Sequence, residues 1–179
     1  MEFTPVTAKT RGPLLDNGEL DLIIATFTIT EERKLTYNFS TPYYTDAVGL
    51  LVKKDSGYSS LADMDKATIG VAQSATSKDA VGAEAEKLSV TVKFSEFATY
   101  PEIKAALDSG RVQAFCVDRS ILRGYLDDST VLLDDKFNPQ NYGAASKLEN
   151  KGLAETVDSL VTGWLADGTI SGMISDWNL

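Results

Sequence analysis

Leu22-Ile23-Ile24-Ala25-Thr26-Phe27-Thr28-Ile29-Thr30-Glu31-Glu32-Arg33 passes from unbroken apolar residues into hydroxyls and then into charge. The apolar part, taken from Leu20 to Ala25, reads as a strand buried on both faces, because a one-sided strand would alternate. Thr30 ahead of two glutamates reads as a helix N-cap, which leaves backbone N–H groups and the positive end of a dipole beside the hydroxyls. Thr26, Thr28 and the Arg33 guanidinium then form a cup suited to a small carboxylate: hydroxyl and amide donors fix it, and a planar fork grips both oxygens. An ordinary strand end, a capped helix and a solvated arginine account for the same residues, and the local pattern leaves both readings open.

On either side of this run, strand-like and helix-like segments alternate, the pattern of an α/β protein. Before it, Glu2 to Val6 reads as a strand and Thr10 to Gly18 as a short helix stopped by its glycine. After it come the apolar stretch Val48 to Val52 and a capping-box start at Ser60 to Asp63. Strands are expected at Thr68 to Ala72, Val90 to Phe94, Val112 to Val117 and Val131 to Leu133. Helices are expected at Ser77 to Leu88, Pro101 to Ser109, Ser120 to Leu126, Gly152 to Trp164 and Ile170 to Trp177. No internal repeat, low-complexity tract or flexible linker interrupts the series.

Composition removes several function classes. The chain has 179 residues, enough for one domain or two small lobes, and a net charge of −9 with no basic block, which argues against nucleic acid as a partner. Histidine is absent, so Ser-His-Asp and Cys-His catalysis and the commonest zinc ligand are unavailable. Cys116 is the single cysteine and sits in the apolar run Ala114-Phe115-Cys116-Val117, which reads as a packed thiol. No metal site and no cofactor are expected. No apolar run reaches membrane-spanning length and no signal peptide precedes Glu2-Phe3, so the chain is expected to be soluble, or the mature part of an exported protein.

Three polar clusters follow strands. The first is the cup from Thr26 to Arg33. The second, Gln73-Ser74-Ala75-Thr76-Ser77, repeats its logic beyond Ile69-Gly70-Val71-Ala72, and a plain N-cap turn is the alternative. The third is Asp118, directly after Phe115-Cys116-Val117, which either holds an ammonium or caps the helix beginning at Ser120. Ligands of open α/β sheets bind beyond the carboxyl ends of strands. Two anion-friendly cups and one carboxylate match an α-amino acid.

Lys9-Thr10-Arg11-Gly12-Pro13-Leu14-Leu15-Asp16-Asn17-Gly18, the turn from Thr28 to Arg33, Phe39-Ser40 with Pro42-Tyr43-Tyr44, Gly70-Val71-Ala72-Gln73 and Phe115 to Asp118 occur in that order. The ordered set, spanning nearly the whole chain, resembles the polar amino-acid solute-binding proteins of ABC importers, in particular their aspartate/glutamate-binding branch. By that resemblance Arg33 grips the ligand α-carboxylate with help from Thr28 and from Thr76 or Ser77, and Asp118 takes the α-ammonium. Arg11 pairs with a side-chain carboxylate, and Tyr100 closes over the ligand, a rim aromatic being the alternative.

The resemblance implies a two-lobed, type II periplasmic-binding-protein-like α/β fold with two crossing hinge strands. Lobe one takes residues 1–46 and 142–179, and lobe two residues 47–141. It implies capture of aspartate or glutamate in an interlobe cleft, without bond chemistry, for ABC-importer membrane subunits, outside the cytoplasm in the periplasm or at the cell surface.

The pattern departs from the family in three places. The family's opening strand and helix have no counterpart before Glu2, which predicts a truncated lobe one with exposed sheet edges. A second chain or a swapped dimer then supplies the strand, or the chain is a truncated or engineered fragment that oligomerises as a scaffold without binding ligand. Gly143 to Leu148 is less apolar than a return strand usually is, and Cys116 stands where a serine is usual.

Overall fold

The structure, a computed structural model, describes residues 2–179, and the chain divides into two compact units. The first holds the opening residues up to Thr4 together with Arg11–Thr45 and Gln140–Leu179. The second holds Pro5–Thr10 and Asp46–Pro139.

The second unit is built on one mixed sheet. Its strands are β2 (Tyr44–Lys53), β3 (Thr68–Ala72), β4 (Lys93–Phe97), β5 (Ala114–Asp118), β6 (Thr130–Leu132) and β7 (Phe137–Tyr142). Of these, β2 begins and β7 ends in residues of the first unit, Tyr44 and Thr45 in β2 and Gln140 to Tyr142 in β7. They lie in the order β4-β3-β5-β2-β6, with β7 also paired to β2. β3 runs parallel to β4 and β5, whereas β2 is antiparallel to β5 and β6.

The apolar runs are continuous because both faces of this sheet are covered. On one face Val48, Leu50, Val52, Ala114 and Cys116 pack with Val81 and Ala85 of α3 (Ser77–Lys87). On the other, Leu51, Phe115 and Val117 pack with Ile103 and Leu107 of α4 (Tyr100–Asp108) and Leu122 of α5 (Arg119–Arg123). The one-residue alternation along β2 and β5 is the pleat itself. Close packing shows at Gly70, where a Cβ would stand 2.6 Å from Ile103 Cγ2.

The first unit is built differently. It holds α1 (Arg11–Asp16), α2 (Glu31–Lys34), β1 (Tyr37–Phe39), β8 (Ala145–Lys147), α6 (Lys151–Ala166) and α7 (Thr169–Asp176). β1 and β8 form a two-stranded antiparallel sheet, pairing Tyr37 with Lys147 and Phe39 with Ala145. Leu15, Ile23, Phe27 and Ala145 make its small core, flanked by Tyr37 and Phe39. Gly18, at φ +79, closes α1 as a left-handed stop, as its glycine predicts. α6 is tied to the loop after β1 by the Asp158 carboxylate, which accepts from the Thr41 N–H at 2.5 Å. Among the described residues of α6 only Val161 is fully buried, and α7 buries none.

Several expectations need correction. Leu20 to Ala25 is not a strand buried on both faces. Ile23 alone makes an antiparallel bridge, to Ala145, and Ile24 is 68% exposed. Beyond that bridge, Leu20 to Ala25 makes no ladder with any strand among the described residues, so the run stays outside both sheets. Glu2 to Val6 forms no strand either. The strand expected at Val90 to Phe94 runs instead from Lys93 to Phe97, with Val90, Val92 and Phe94 all packed against the core. β7 was not foreseen, since Phe137-Asn138-Pro139-Gln140 carries turn residues rather than a strand pattern.

Candidate functional site

In the first unit the sequence cup closes around a residue that sequence reasoning passed over. The Phe27 ring lies beneath two guanidiniums, with Arg33 Cζ 4.3 Å and Arg11 Cζ 4.6 Å from its centroid. Tyr37 meets the ring edge-on at 5.8 Å and Phe39 is tilted against it at 5.5 Å, so the platform is held by aromatic packing. A cation over an aromatic face is attracted by the ring quadrupole. Phe27 is an aromatic between two threonines just after an apolar run, and that position was the available signal.

Backbone carbonyls aim both arginines. Arg33 Nη1 donates to the Thr28 carbonyl at 2.7 Å, and Arg11 Nη1 donates to the Thr26 carbonyl at 2.9 Å. Arg11 is only 5% exposed. Thr30 is the N-cap of α2: its hydroxyl accepts from the Arg33 N–H at 3.1 Å, which sets where the Arg33 side chain begins. Thr28 is buried, bridges Tyr142, and donates its hydroxyl proton to the Gln140 carboxamide oxygen at 2.8 Å. The Tyr43 hydroxyl donates to the Ala25 carbonyl at 2.6 Å. Burial pushes the Tyr43 phenol up to about 12, against a smaller opposing effect of the Arg11 charge.

Arg11, Thr26, Thr28 and Arg33 are thus gathered on one aromatic platform. Each guanidinium is a fixed positive charge that attracts an anion.

The second unit gathers Ser77 and Asp118 around Cys116. Ser77 opens α3 and is buried. Its hydroxyl has no hydrogen-bond partner among the described residues, and its carbonyl lies 4.0 Å from Cys116 Sγ. Thr76 is the N-cap position of α3, with helical backbone angles and no side-chain capping bond.

Asp118 ends β5 fully within the fold and makes no capping bond to α5. That job belongs to Asp46, whose carboxylate accepts from the Ser120 N–H at 2.9 Å. The capping alternative for Asp118 is therefore excluded, and Asp46 is a role that sequence reading missed. Burial, reinforced by the Asp118 charge, holds the Cys116 thiol well above its usual range, so it stays a neutral packed group. Tyr100 packs its ring against Phe115 at 6.2 Å. Among the described residues no cluster of three or more His, Cys, Asp or Glu is placed to hold a metal ion, and no helix is long and apolar enough to cross a membrane.

The whole chain, residues 1–179, matches the bacterial extracellular solute-binding proteins, family 3. It is 38% identical over 160 residues to the glutamine-binding protein of Geobacillus stearothermophilus, covering 88% of this chain and 60% of that protein. It is 35% identical over 179 residues to the ABC transporter glutamine-binding protein GlnH of Bacillus subtilis (strain 168), covering 98% of this chain and 64% of the relative. The chain therefore spans less than two thirds of the length of these relatives. Among solved structures, an ancestral arginine-binding protein bound to arginine is similar with a TM-score of 0.86 and 31% identity, over 98% of this chain and 79% of that one. The α/β periplasmic-binding-protein-like fold expected from the sequence is thereby established. These relatives carry the names of binding proteins, not of enzymes.

Proposed function

This chain belongs to the bacterial extracellular solute-binding proteins of family 3, and from that premise we propose that it binds a free L-amino acid for delivery to an ABC importer. The observation that carries this reading is the pair of guanidiniums over Phe27, each steadied by a backbone carbonyl. Arg33 takes the α-carboxylate beside Thr28 and Thr26. Asp118 takes the α-ammonium, and Thr76, Ser77 and Tyr100 complete recognition from the second unit. The orphaned Ser77 hydroxyl supports its part, because a buried donor without a partner costs about 1–3 kcal/mol until something satisfies it.

Arg11 sets the side chain. A buried guanidinium favours a ligand ending in a carboxylate, so aspartate or glutamate is the proposed ligand. The importer's membrane subunits are the proposed partners, and the periplasm or cell surface the proposed location.

Calorimetric titration with L-aspartate, L-glutamate and L-glutamine tests this. Heat with the two acidic ligands and none with glutamine supports the role of Arg11. Heat with glutamine alone moves the chain to the specificity named for the two relatives above and makes Arg11 a structural residue. Arg33→Ala should remove binding of every amino acid by at least about 100-fold, as expected when a charge-paired partner is lost. Arg11→Ala should relax side-chain preference while binding persists. Equal, mild losses from both would overturn the assignment.

A second reading is favoured by the exposed Ile24 and the unburied face of α7. The first unit pairs its Leu20–Ala25 edge with a strand from a second chain or a swapped copy. Sedimentation at increasing concentration tests it: a monomer throughout rules it out.

A further inference from the structure

The least expected buried group in the first unit is Gln140. It is 0% exposed and lies on β7, two residues before Tyr142, which bridges Thr28. The Ile29 N–H also donates to the Asn141 carbonyl at 2.8 Å, so the Thr28–Ile29 backbone is pinned to the end of β7. A carboxamide withdrawn from water is unfavourable unless it is hydrogen-bonded, and an apolar side chain at an inward position avoids that penalty. One bond that Gln140 makes is with the Thr28 hydroxyl, which donates to its Oε1 at 2.8 Å.

A threonine hydroxyl has one proton and two acceptor lone pairs. With the proton committed to Gln140, the Thr28 oxygen presents only lone pairs to anything else. It is then unable to donate to a ligand carboxylate, the role the sequence resemblance implies. It is fitted to accept from an ammonium. Arg33 donates to the backbone carbonyl of this same Thr28. A carboxylate on Arg33 therefore brings its own α-ammonium close to that hydroxyl oxygen.

We propose that Gln140 is a positioning residue for amino-acid recognition: its buried carboxamide holds the Thr28 hydroxyl as an acceptor for the ligand ammonium beside Arg33. This rests on the amino-acid-binding reading above and adds to it a residue that never touches ligand.

The test is a double-mutant cycle on the full chain, titrated with L-glutamate and L-glutamine. Gln140→Met, which keeps bulk and removes the acceptor, should weaken whichever probe the wild type binds by about tenfold, the scale of one hydrogen bond to a charged group. Thr28→Val should weaken it similarly, and Thr28→Ser should restore most of the loss. In the Thr28→Val background, Gln140→Met should cost less than about a further twofold. Gln140→Asn, one methylene short of Thr28, repeats the comparison if the methionine variant fails to fold.

A full tenfold loss from the Gln140 variant in the Thr28→Val background overturns the proposal, because general structural damage does not need the hydroxyl. If the wild type binds neither probe, the amino-acid reading fails by itself. The urea midpoints of the same four proteins then judge the Gln140–Thr28 link: non-additive shifts keep it and additive shifts reject it.

Discussion

The two units have similar proportions of apolar residues and use them in opposite ways. In the second, Val48, Leu50, Val52, Ala114 and Cys116 of β2 and β5 pack on the side of α3, and Leu51, Phe115 and Val117 on the side of α4 and α5, so both faces of each apolar run are covered. In the first, the longest apolar run before β2 makes a single bridge, two strands stand in for a sheet, and α7 buries nothing. Met173 is 57% exposed and Trp177 75%. Yet it is this sparsely packed unit that carries the two arginines on their aromatic platform. A hydrophobic run specifies a strand only when the fold around it provides neighbours, whereas a charged site requires only a few fixed carbonyls and one ring.

The sharpest way to break this comparison is to remove the densest packing. Phe115 is fully buried and meets Tyr125 edge-on at 5.3 Å and Tyr100 at 6.2 Å. Phe115→Ala should destabilise the second unit by about 3–5 kcal/mol through lost transfer energy and a cavity. Differential scanning calorimetry should show that unit's transition moving down by many degrees. A loss below about 1 kcal/mol would mean that the second unit is packed as loosely as the first.

Legibility in the sequence follows the same division. β3 falls at the residues read from the sequence, and α3, α4 and α6 within one or two of them at either end, because each element's periodicity is met by partners within the unit. Leu20 to Ala25 misled because composition reports how apolar a segment is, not whether anything lies beside it. β7 was hidden by Asn138 and Pro139, turn residues tolerated in a strand that pairs at one side. At the site, Arg11, Arg33 and the threonines were legible because charge and hydroxyls after an apolar run are a local signal. Phe27, Asp46 and Gln140 were not, since Phe27 also carries Arg11 from an earlier helix, Asp46 caps a helix at Ser120, and Gln140 meets Thr28 from far along the chain.

A smaller effect asks whether the interior of the first unit is as dry as that of the second. Burial raises the Tyr43 phenol from near 10 to about 12, so the fold favours the neutral form. The sign follows directly: the stabilisation is complete below about pH 10, where unfolded tyrosine is still protonated, and is lost as pH rises from there towards 12. Urea midpoints of the wild type should therefore fall across that window. Tyr43→Phe, which gives up the bond to the Ala25 carbonyl, should lose about 1 kcal/mol at neutral pH. Its alkaline decline should be shallower than the wild type's. Parallel declines in both proteins would mean that Tyr43 is hydrated and that the first unit's core is open to water.

The smallest effect has the opposite sign. Gly163 lies inside α6, and a Cβ built there meets nothing within 4 Å. A glycine in a helix interior weakens it relative to alanine by about 0.5–1 kcal/mol, because the unfolded chain has more backbone freedom to lose. Gly163→Ala should therefore raise the stability of the first unit by about that amount. The second unit's Gly70 stands in contrast, since its Cβ would collide with Ile103, so alanine there has no room to stabilise. The difference separates propensity from packing: on α6 the outward face is free to accept a methyl, and the helix gains from it. If Gly163→Ala lowers the urea midpoint instead, that face of α6 is covered in solution, and the contrast between the two units would be one of missing partners, not of missing contacts.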